Sequence, residues 1–334
     1  IAHRLDPMRQ QVLDEFIGMS IEAKELWVPS SIPVVDAQDL SAMEFYRTYV
    51  SRNIPVVIRN GCRHWPAVTK WTEDHLRTAM GNSLVTVALT PDGHGDAVIP
   101  RSSSGADQDL FILPHEEPMS IGSFLDLIRM RSGPVPYAQK QCDSLNSEFP
   151  ALAGDCPELE LGAAAFGQAP DAVNIWIGDD RAVSSTHSDP YENLYCVVAG
   201  VKRITVLPPT DLPYLYRKPF ARARYVWDSD KFHIEQLHSE AKIPWIHVDP
   251  EAADPLKFPL FSHATPLQVD LHPGDVFYLP SLWYHKVSQF ADRESGHPVI
   301  AVNFWYDMQF DAKYTWIRFQ ENVVNVLGQN GGDN

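Results

Sequence analysis

Histidine and aspartate stand two residues apart at three places in this chain: His94-Gly-Asp96, His187-Ser-Asp189 and His247-Val-Asp249. Such a pair can supply two of the three ligands of a non-haem iron site, in which two histidines and one carboxylate on one face of the ion leave its other positions open for reactants. A more distant histidine would complete the set. The sequence around each pair must therefore decide which one, if any, binds metal.

Two of the three pairs lie in sequences that favour a structural role. His94 follows Pro91-Asp-Gly93, a turn sequence that does not hold two ligands rigidly, so a solvated loop is the simpler interpretation. His247 lies between Pro244 and Pro250, whereas precise sites are built on rigid strands and helices. Neither pair predicts a metal site.

The middle pair is followed by residues with the period of an extended strand. Alternate side chains of a strand share a face, so one cavity wall would carry two metal ligands and an amide. The residues on that predicted face are His187, Asp189, Tyr191, Asn193 and Tyr195. The middle pair is therefore the predicted metal-binding pair.

His285 is the candidate third ligand. Pro273-Gly-Asp275 predicts a tight turn, a short apolar strand follows, and a second proline ends that strand. His285 then follows two aromatic residues, at the start of another strand. A lone histidine there is usually structural, but with His187 and Asp189 it completes the two-histidine, one-carboxylate set.

Lys202 is a candidate partner for an anion near these ligands. After a turn at Gly200, its strand would run back alongside the strand that bears the ligands. A lysine buried there without a partner is too unfavourable to be incidental, so a dianionic ligand is its natural complement. A solvated lysine on an edge strand is the alternative that this residue alone leaves open.

The rest of the sequence predicts the scaffold that positions these residues. Many short β-rich runs separated by Gly and Pro favour a sandwich or barrel over alternating strands and helices. Helices are predicted through Lys24 and over residues 41–50, 72–80, 121–130 and 314–326. We predict an N-terminal helical and mixed α/β region (1–130), a core (131–310) with a Pro-rich insertion near 212–266, and a C-terminal helix and tail (311–334).

The composition of the chain limits the classes of molecule that it is expected to bind and the compartment in which it is expected to occur. At 334 residues and 44% hydrophobic content the chain can bury a substantial core. Its 27 basic and 43 acidic residues give a net charge of −16, which disfavours nucleic acid and favours basic partners, although the same excess also serves solubility. No apolar run approaches the roughly 20 residues that span a bilayer. Four scattered cysteines without paired spacing fit a reducing compartment, cytoplasmic or nuclear.

In the segments that contain the candidate metal ligands, and in several others, the chain resembles the jumonji-C oxygenases, and in particular their small hydroxylase branch. The likeness spans most of the chain. Its blocks are Pro55-Val-Val-Ile-Arg59, His64-Trp-Pro66, Asn174-Ile-Trp-Ile-Gly178, residues 184–202, Pro208-Pro209, residues 274–285 and Val302-Asn-Phe-Trp-Tyr306. The resemblance implies a mainly β fold with flanking helices around a double-stranded β-helix core, the jelly-roll or cupin-like architecture.

The resemblance also implies cofactors and the residues that hold them. Iron(II) would be bound by the three ligands proposed above, with 2-oxoglutarate and dioxygen as cosubstrates. The positions that match the family's cosubstrate residues are Tyr137, Ser184, Asn193, Lys202 and Asn303. Lys202 would hold the distal carboxylate of 2-oxoglutarate. Ser184 stands where the family commonly has threonine, which keeps the hydroxyl donor.

Within the family, three blocks resemble a member that hydroxylates lysine in GTP-binding proteins: Tyr137-Ala-Gln-Lys-Gln-Cys142, Tyr191 to Val198 and Ala301 to Met308. A lysine-bearing protein is therefore the implied substrate. Glu192 and Asp307 are candidates to face it, because they neighbour metal- and cosubstrate-binding positions. Histone lysine demethylation, cleavage of methylated histone tails and a catalytically silent binding protein are the alternatives. Pairing of two chains through the C-terminal helix and packing of that helix within one chain both stay open.

Overall fold

The computed structural model describes residues 7–237, 241–291 and 298–329. The helices in these ranges are α1 (Pro7–Leu26), α2 (Ala42–Phe45), α3 (Pro66–Lys70), α4 (Glu73–Met80), α5 (Arg101–Ser104), α6 (Ile121–Met130), α7 (Ser144–Glu148), α8 (Pro150–Ala153), α9 (Glu160–Phe166) and α10 (Ala312–Gln329). Short 3-10 helices occupy Ala37–Asp39, Pro209–Tyr214 and Pro259–His263, and a π-helical turn occupies Tyr46–Val50.

The strands are β1 (Val34–Asp36), β2 (Val56–Arg59), β3 (Leu84–Thr90), β4 (His94–Gly95), β5 (Ala97–Ile99), β6 (Leu110–Leu113), β7 (His115–Ser120), β8 (Val135–Ala138), β9 (Ala172–Gly178), β10 (Val183–His187), β11 (Tyr191–Ala199), β12 (Val201–Leu207), β13 (Arg217–Asp228), β14 (Lys231–Gln236), β15 (Ile243–Ile246), β16 (Leu267–Leu271), β17 (Val276–Leu279), β18 (Tyr284–Phe290) and β19 (Val299–Asp307).

Two of the sheets form the core. The larger has nine strands in the order β1-β2-β17-β11-β19-β9-β8-β3-β7, and the smaller has five in the order β16-β12-β18-β10-β4. One apolar cluster joins them, with Tyr195 and Ala301 from the larger sheet and Ile204, Val206 and Val287 from the smaller. The predicted mainly β, jelly-roll architecture with flanking helices is confirmed.

Helices cover part of the larger sheet. Leu76 of α4 and Phe124 of α6 are fully buried in one cluster with Val87 of β3 and Ile177 of β9. α4, predicted over residues 72–80, begins after Thr72, whose hydroxyl accepts a hydrogen bond from a backbone N–H of the first turn. In the ranges described, no helix is both long and apolar enough to cross a membrane. Residues 330–334 of the predicted C-terminal tail lie outside the described residues.

The boundary predicted near residue 130 falls inside the larger sheet. β3 pairs with β7 on one side and with β8 on the other, and β2 pairs with β17. Strands on either side of that boundary therefore share one hydrogen-bond network, and the N-terminal region extends the core sheet instead of only packing against it.

The predicted insertion, residues 212–266, is itself built of strands. β13 is 12 residues long and pairs with β14, with β15 and, in parallel, with β6. This third sheet joins the insertion to the N-terminal region. Its basic and proline residues, Arg217-Lys-Pro219 among them, obscure the alternation that would have predicted a strand.

Candidate active site

The three candidate ligands lie where the chain passes from one core sheet to the other. β10 ends at His187 in the smaller sheet, and β11 begins at Tyr191 in the larger one. The single extended strand predicted from His187 onward is therefore wrong, because the chain changes sheets between these two residues. His285 of β18 lies directly opposite His187 in the antiparallel register of the smaller sheet.

The ligand atoms of these residues converge on one point. Nε2 of His187 lies 3.6 Å from Oδ2 of Asp189, and Nε2 of His285 lies 3.7 Å from the same oxygen. Such donor atoms bind metals at about 2 Å, so atoms up to about 4 Å apart can share one ion. Two imidazoles and one carboxylate are the donor set of non-haem iron(II) oxygenases. In the described part of the chain, this is the one cluster of three such residues close enough to hold a metal.

Backbone carbonyls orient both imidazoles. Nδ1 of His187 donates to the oxygen of Ser185 at 2.6 Å, and Nδ1 of His285 donates to the oxygen of Trp283 at 3.1 Å. A carbonyl only accepts, so each Nε2 keeps its lone pair for a metal. Burial, helped by the charge of His187 and opposed by Asp189, lowers the pKa of His285 to about 4. His285 is therefore neutral at pH 7, as a metal ligand must be.

A pocket opens onto this cluster, and seven of the eight predicted site residues line it. They are Tyr137, Ser184, His187, Asp189, Asn193, His285 and Asn303. The Asn303 amide donates to Asn193 at 3.2 Å and accepts from the Trp176 indole at 2.7 Å, which holds its orientation. Trp305, two residues after Asn303 on β19, also lines the pocket.

Lys202 is the predicted site residue that does not line the pocket. Its side chain is fully buried, and its Nζ donates to Gln289 and, at 3.4 Å, to the hydroxyl of Tyr137, which does line the pocket. β12 lies between β16 and β18 in the smaller sheet, so both the solvated edge lysine and the predicted position beside β11 are wrong.

A buried ammonium with neutral partners fits an anionic cosubstrate. Within residues 7–237, 241–291 and 298–329, no carboxylate pairs with Lys202, and burial alone lowers its pKa to about 7. An unpaired buried cation is strongly disfavoured, so a carboxylate in the pocket would supply the missing partner. Burial also raises the pKa of Tyr137 far above neutrality, which keeps its hydroxyl a donor. The residues present therefore fit iron(II) at one end of the pocket and a dicarboxylate reaching toward Lys202 at the other.

Gly178 leaves room for the ring of Tyr137. The two residues face each other across β8 and β9, and a Cβ on Gly178 would lie 2.7 Å from Cδ2 of Tyr137 and 2.9 Å from Nε2 of Gln289. Both neighbours are hydrogen-bond partners of Lys202. A methyl group at Gly178 would therefore disturb the environment of the buried ammonium.

We expect Gly178→Ala to lower the free energy of unfolding by about 1–3 kcal/mol, the usual result of overpacking. It should also raise the KM for 2-oxoglutarate, because Tyr137 and Gln289 must move. Chemical unfolding and succinate formation measure the two effects. Gly154→Ala is the matched control, since nothing lies within 4 Å of its added Cβ. An unchanged KM in Gly178→Ala would separate this glycine from the cosubstrate pocket.

Trp245, which no sequence pattern indicates, contacts the candidate ligand His187. Its ring stacks on that of His187, with centroids 6.0 Å apart and an interplanar angle of 7°, and its Nε1 donates to the Ser185 hydroxyl at 3.0 Å. Trp245 lies on β15, inside the Pro-rich insertion and two residues before His247, where the sequence predicts no metal site. A tryptophan beside proline in a Pro-rich stretch carries no sequence signal of this contact.

The other two His-x-Asp pairs stay outside the ligand cluster. His247 lies 3.7 Å from Asp109, while Asp249 forms an ion pair with Lys286. The predicted solvated loop around His94 is instead a short strand, because β4 pairs with β10. Asp96, the partner of His94 in the motif, accepts a hydrogen bond from Gln139 at 3.1 Å.

The two acids proposed to face a substrate do not line the pocket. Glu192 is buried and accepts hydrogen bonds from the hydroxyls of Tyr278 at 2.6 Å and Ser281 at 2.8 Å. Asp307 is exposed at the end of β19. Successive side chains of a strand point to opposite faces. Because Asn193 faces the cavity, the preceding residue, Glu192, points away from it.

The sequence of this chain is similar to those of several known proteins. A family model described as a cupin-like domain matches residues 42–312. The human bifunctional peptidase and (3S)-lysyl hydroxylase JMJD7 is 38% identical over 326 residues, 96% of this chain and 98% of its own length. The Arabidopsis thaliana lysine-specific demethylase JMJ32 is 39% identical, over 91% of this chain and 89% of its own. JmjC domain-containing protein E of Dictyostelium discoideum is 38% identical, over 95% of each.

Proposed function

The chain belongs to the cupin-like JmjC family of 2-oxoglutarate-dependent oxygenases, and we propose that it hydroxylates a lysine side chain of a protein substrate. The observation that carries the proposal is the Lys202 ammonium, buried beside a pocket that also holds a two-histidine, one-carboxylate cluster. End-to-end similarity to a relative named as a lysyl hydroxylase supports lysine as the acceptor. A GTP-binding protein as substrate, and the cytoplasm or nucleus as location, belong to the same proposal.

In this proposal the metal is held by Nε2 of His187, Nε2 of His285 and the carboxylate of Asp189. Bound iron(II) supplies, with dioxygen and 2-oxoglutarate, the oxidising chemistry that inserts one oxygen atom into a C–H bond as the cosubstrate becomes succinate and CO2. The carbonyls of Ser185 and Trp283 keep both imidazoles oriented throughout, so no reorientation is needed on metal binding.

The cosubstrate is held by the residues around the pocket. Lys202 neutralises its distal carboxylate, and the hydroxyls of Tyr137 and Ser184 donate hydrogen bonds to the same end. The amides of Asn193 and Asn303 orient the end nearer the metal. Apolar side chains on the remaining wall exclude water, which suppresses unproductive oxidation. They are Ile204, Leu279 and Val287.

Lysine demethylation is the second candidate, because a relative named as a lysine-specific demethylase is 39% identical over 91% of this chain. Oxidation of an N-methyl group uses the same metal and cosubstrate as oxidation of a lysine carbon. The metal cluster and Lys202 therefore serve both reactions equally. Only the product distinguishes them.

The test is turnover by iron-loaded protein of lysine peptides and their N-methylated counterparts, with succinate assay and mass spectrometry. We expect succinate formation coupled to the gain of one oxygen on lysine, absent in His187→Ala. Loss of a methyl group would instead identify a demethylase. Peptide cleavage without succinate would favour a peptidase, and no turnover with any peptide would favour a binding protein.

A further inference from the structure

The turn between β17 and β18 contacts two of the three candidate metal ligands. It spans residues 280–283 and ends two residues before His285. Its Leu282 N–H donates to the backbone oxygen of Asp189 at 2.9 Å, and its Trp283 carbonyl accepts the hydrogen bond from Nδ1 of His285 at 3.1 Å. The position of this turn therefore helps to set the position of Asp189 relative to His285.

The backbone of this turn is in an unfavourable conformation. Leu282 has a φ of 70°, in the left-handed region that leucine rarely adopts. Such a conformation persists only where the surrounding structure holds it. The Leu282 side chain is buried in one apolar cluster with Met308 and Ile317, which leaves the polar groups of the turn to other partners. Those partners must come from elsewhere in the fold.

Glu192 of β11 provides such contacts. Its Oε2 accepts a hydrogen bond from the backbone N–H of Ser281 at 3.2 Å, and its Oε1 accepts one from the Ser281 hydroxyl at 2.8 Å. The hydroxyl of Tyr278, on the strand that leads into the turn, donates to Oε2 at 2.6 Å. All three residues are buried. Glu192 therefore binds both the turn and the strand before it, from the side of β11 that faces away from the pocket.

Lys313, at the start of α10, completes this network. Its Nζ lies 3.4 Å from Oε1 of Glu192, and it donates to the Ser281 hydroxyl at 2.9 Å and to Oδ1 of Asn53 at 3.1 Å. The Trp283 indole donates to the backbone oxygen of Asn53 at 2.8 Å. A buried carboxylate is stable only when it is paired and hydrogen-bonded, and a fully satisfied polar network favours a single geometry. The network therefore holds the turn at both of its ends.

We propose that Glu192 is a positioning residue of the metal site, which fixes the separation of Asp189 and His285 by holding residues 280–283. The inference rests on the metal site of the proposed function, because it takes these two residues as iron(II) ligands. Glu192 does not line the pocket, so it acts through the turn. Loss of its carboxylate should therefore weaken metal binding although all three ligands remain.

Three variants and one control separate positioning from folding stability. Glu192→Ala removes the carboxylate, Ser281→Ala removes one of its donors, and Glu192→Gln keeps the shape and one acceptor oxygen. Glu148→Ala is the matched control. The Glu148 carboxylate accepts from the backbone N–H of Thr86 at 2.8 Å and from its hydroxyl at 2.7 Å, and pairs with Lys140 at 2.6 Å. Its partners are thus of the same kinds as those of Glu192, but none of them belongs to the turn.

Cobalt(II) is the probe, titrated into metal-free protein and followed by visible absorbance, which responds to the geometry of the ligands. Thermal unfolding without metal checks that each variant is folded at the temperature of the titration. Groups that orient metal ligands contribute about 10–100-fold to metal affinity, and Glu192 acts less directly, so we expect Glu192→Ala to bind cobalt(II) about 10-fold more weakly. Ser281→Ala and Glu192→Gln should lose about threefold, half of that free energy. Glu148→Ala should keep the wild-type affinity.

Two results would overturn this inference and leave the proposed function intact. One is wild-type cobalt(II) affinity in folded Glu192→Ala. The other is an equal loss in Glu148→Ala, which would mean that general destabilisation weakens the metal site. If Glu192→Ala does not fold, wild-type affinity in both Ser281→Ala and Glu192→Gln would overturn the inference instead.

The wild type distinguishes this inference from the proposed function. Cobalt(II) binding by the wild type, without oxidation of lysine or methyl-lysine peptides by the iron-loaded protein, would overturn the proposed function alone. The affinities of the variants would then still decide the role of Glu192. Absence of cobalt(II) binding by the wild type would overturn both.

Discussion

Replacing His187 with alanine is expected to abolish 2-oxoglutarate turnover and to lower iron(II) affinity more than about 100-fold. Changes to groups that only orient a metal ligand already weaken binding by about 10–100-fold, so loss of a ligand itself should exceed that range. His187 Nε2 is one of three donor atoms that lie within 4.8 Å of one another. The measurements are the iron content of purified protein, a titration with cobalt(II) followed by absorbance, and succinate formation.

His94→Ala and His247→Ala are the matched controls, because each removes a histidine from the same three-residue motif. His94 is near Asp92 and His247 near Asp109, away from the ligand cluster. Both variants should bind metal as the wild type does. A loss of metal affinity in either control equal to that in His187→Ala would mean that strand context does not identify His187 and Asp189 as the metal-binding pair.

Replacing Lys202 with methionine is expected to raise the KM for 2-oxoglutarate at least about 30-fold. Removing one partner of a buried charge pair costs about 2–5 kcal/mol, and each 1.4 kcal/mol is about a factor of ten. Methionine fills the same volume without the charge, so the fully buried site stays packed. Succinate formation at varied 2-oxoglutarate measures the change.

The same variant should leave the protein without cosubstrate at least as stable as the wild type. The folded-state pKa of Lys202 is lowered to about 7 from 10.5, so the folded wild type binds fewer protons than the unfolded chain between these values. Wild-type stability therefore falls as pH drops from 10.5 to 7, and the Lys202 contribution to that fall disappears in the variant. Chemical unfolding across this pH range measures the difference.

Lys286→Met is the matched control for Lys202→Met. Lys286 is also a buried lysine of the smaller sheet, but it pairs with Asp249 at 2.7 Å and Glu251 at 2.9 Å. Its removal leaves two carboxylates without their cation, so it should destabilise the protein and leave the KM for 2-oxoglutarate near the wild-type value. An unchanged KM in Lys202→Met would make Lys202 a structural cation and remove the main support for the cosubstrate site.

The sequence by itself determined the features that depend only on patterns within a few consecutive residues. Alternation along an extended backbone put His187, Asp189 and Asn193 on one side of the chain, and their side chains do line one pocket even though a change of sheets interrupts the strand. Turn residues and short apolar runs predicted the strand that starts near His285. Caps and apolar periodicity predicted helices such as α4 and α6. Each of these properties belongs to a few consecutive residues.

Only the tertiary structure decided which distant residues join that site. Burial of Lys202 depends on strands β16 and β18 closing over both edges of β12. Trp245 reaches His187 because β15 pairs with β13. Pairing between strands remote in sequence depends on which edges meet in the folded protein, a choice that local alternation does not encode. For that physical reason the metal ligands and most cosubstrate positions could be predicted from the chain and its resemblance, whereas the burial of Lys202 and the stacking of Trp245 on His187 could not.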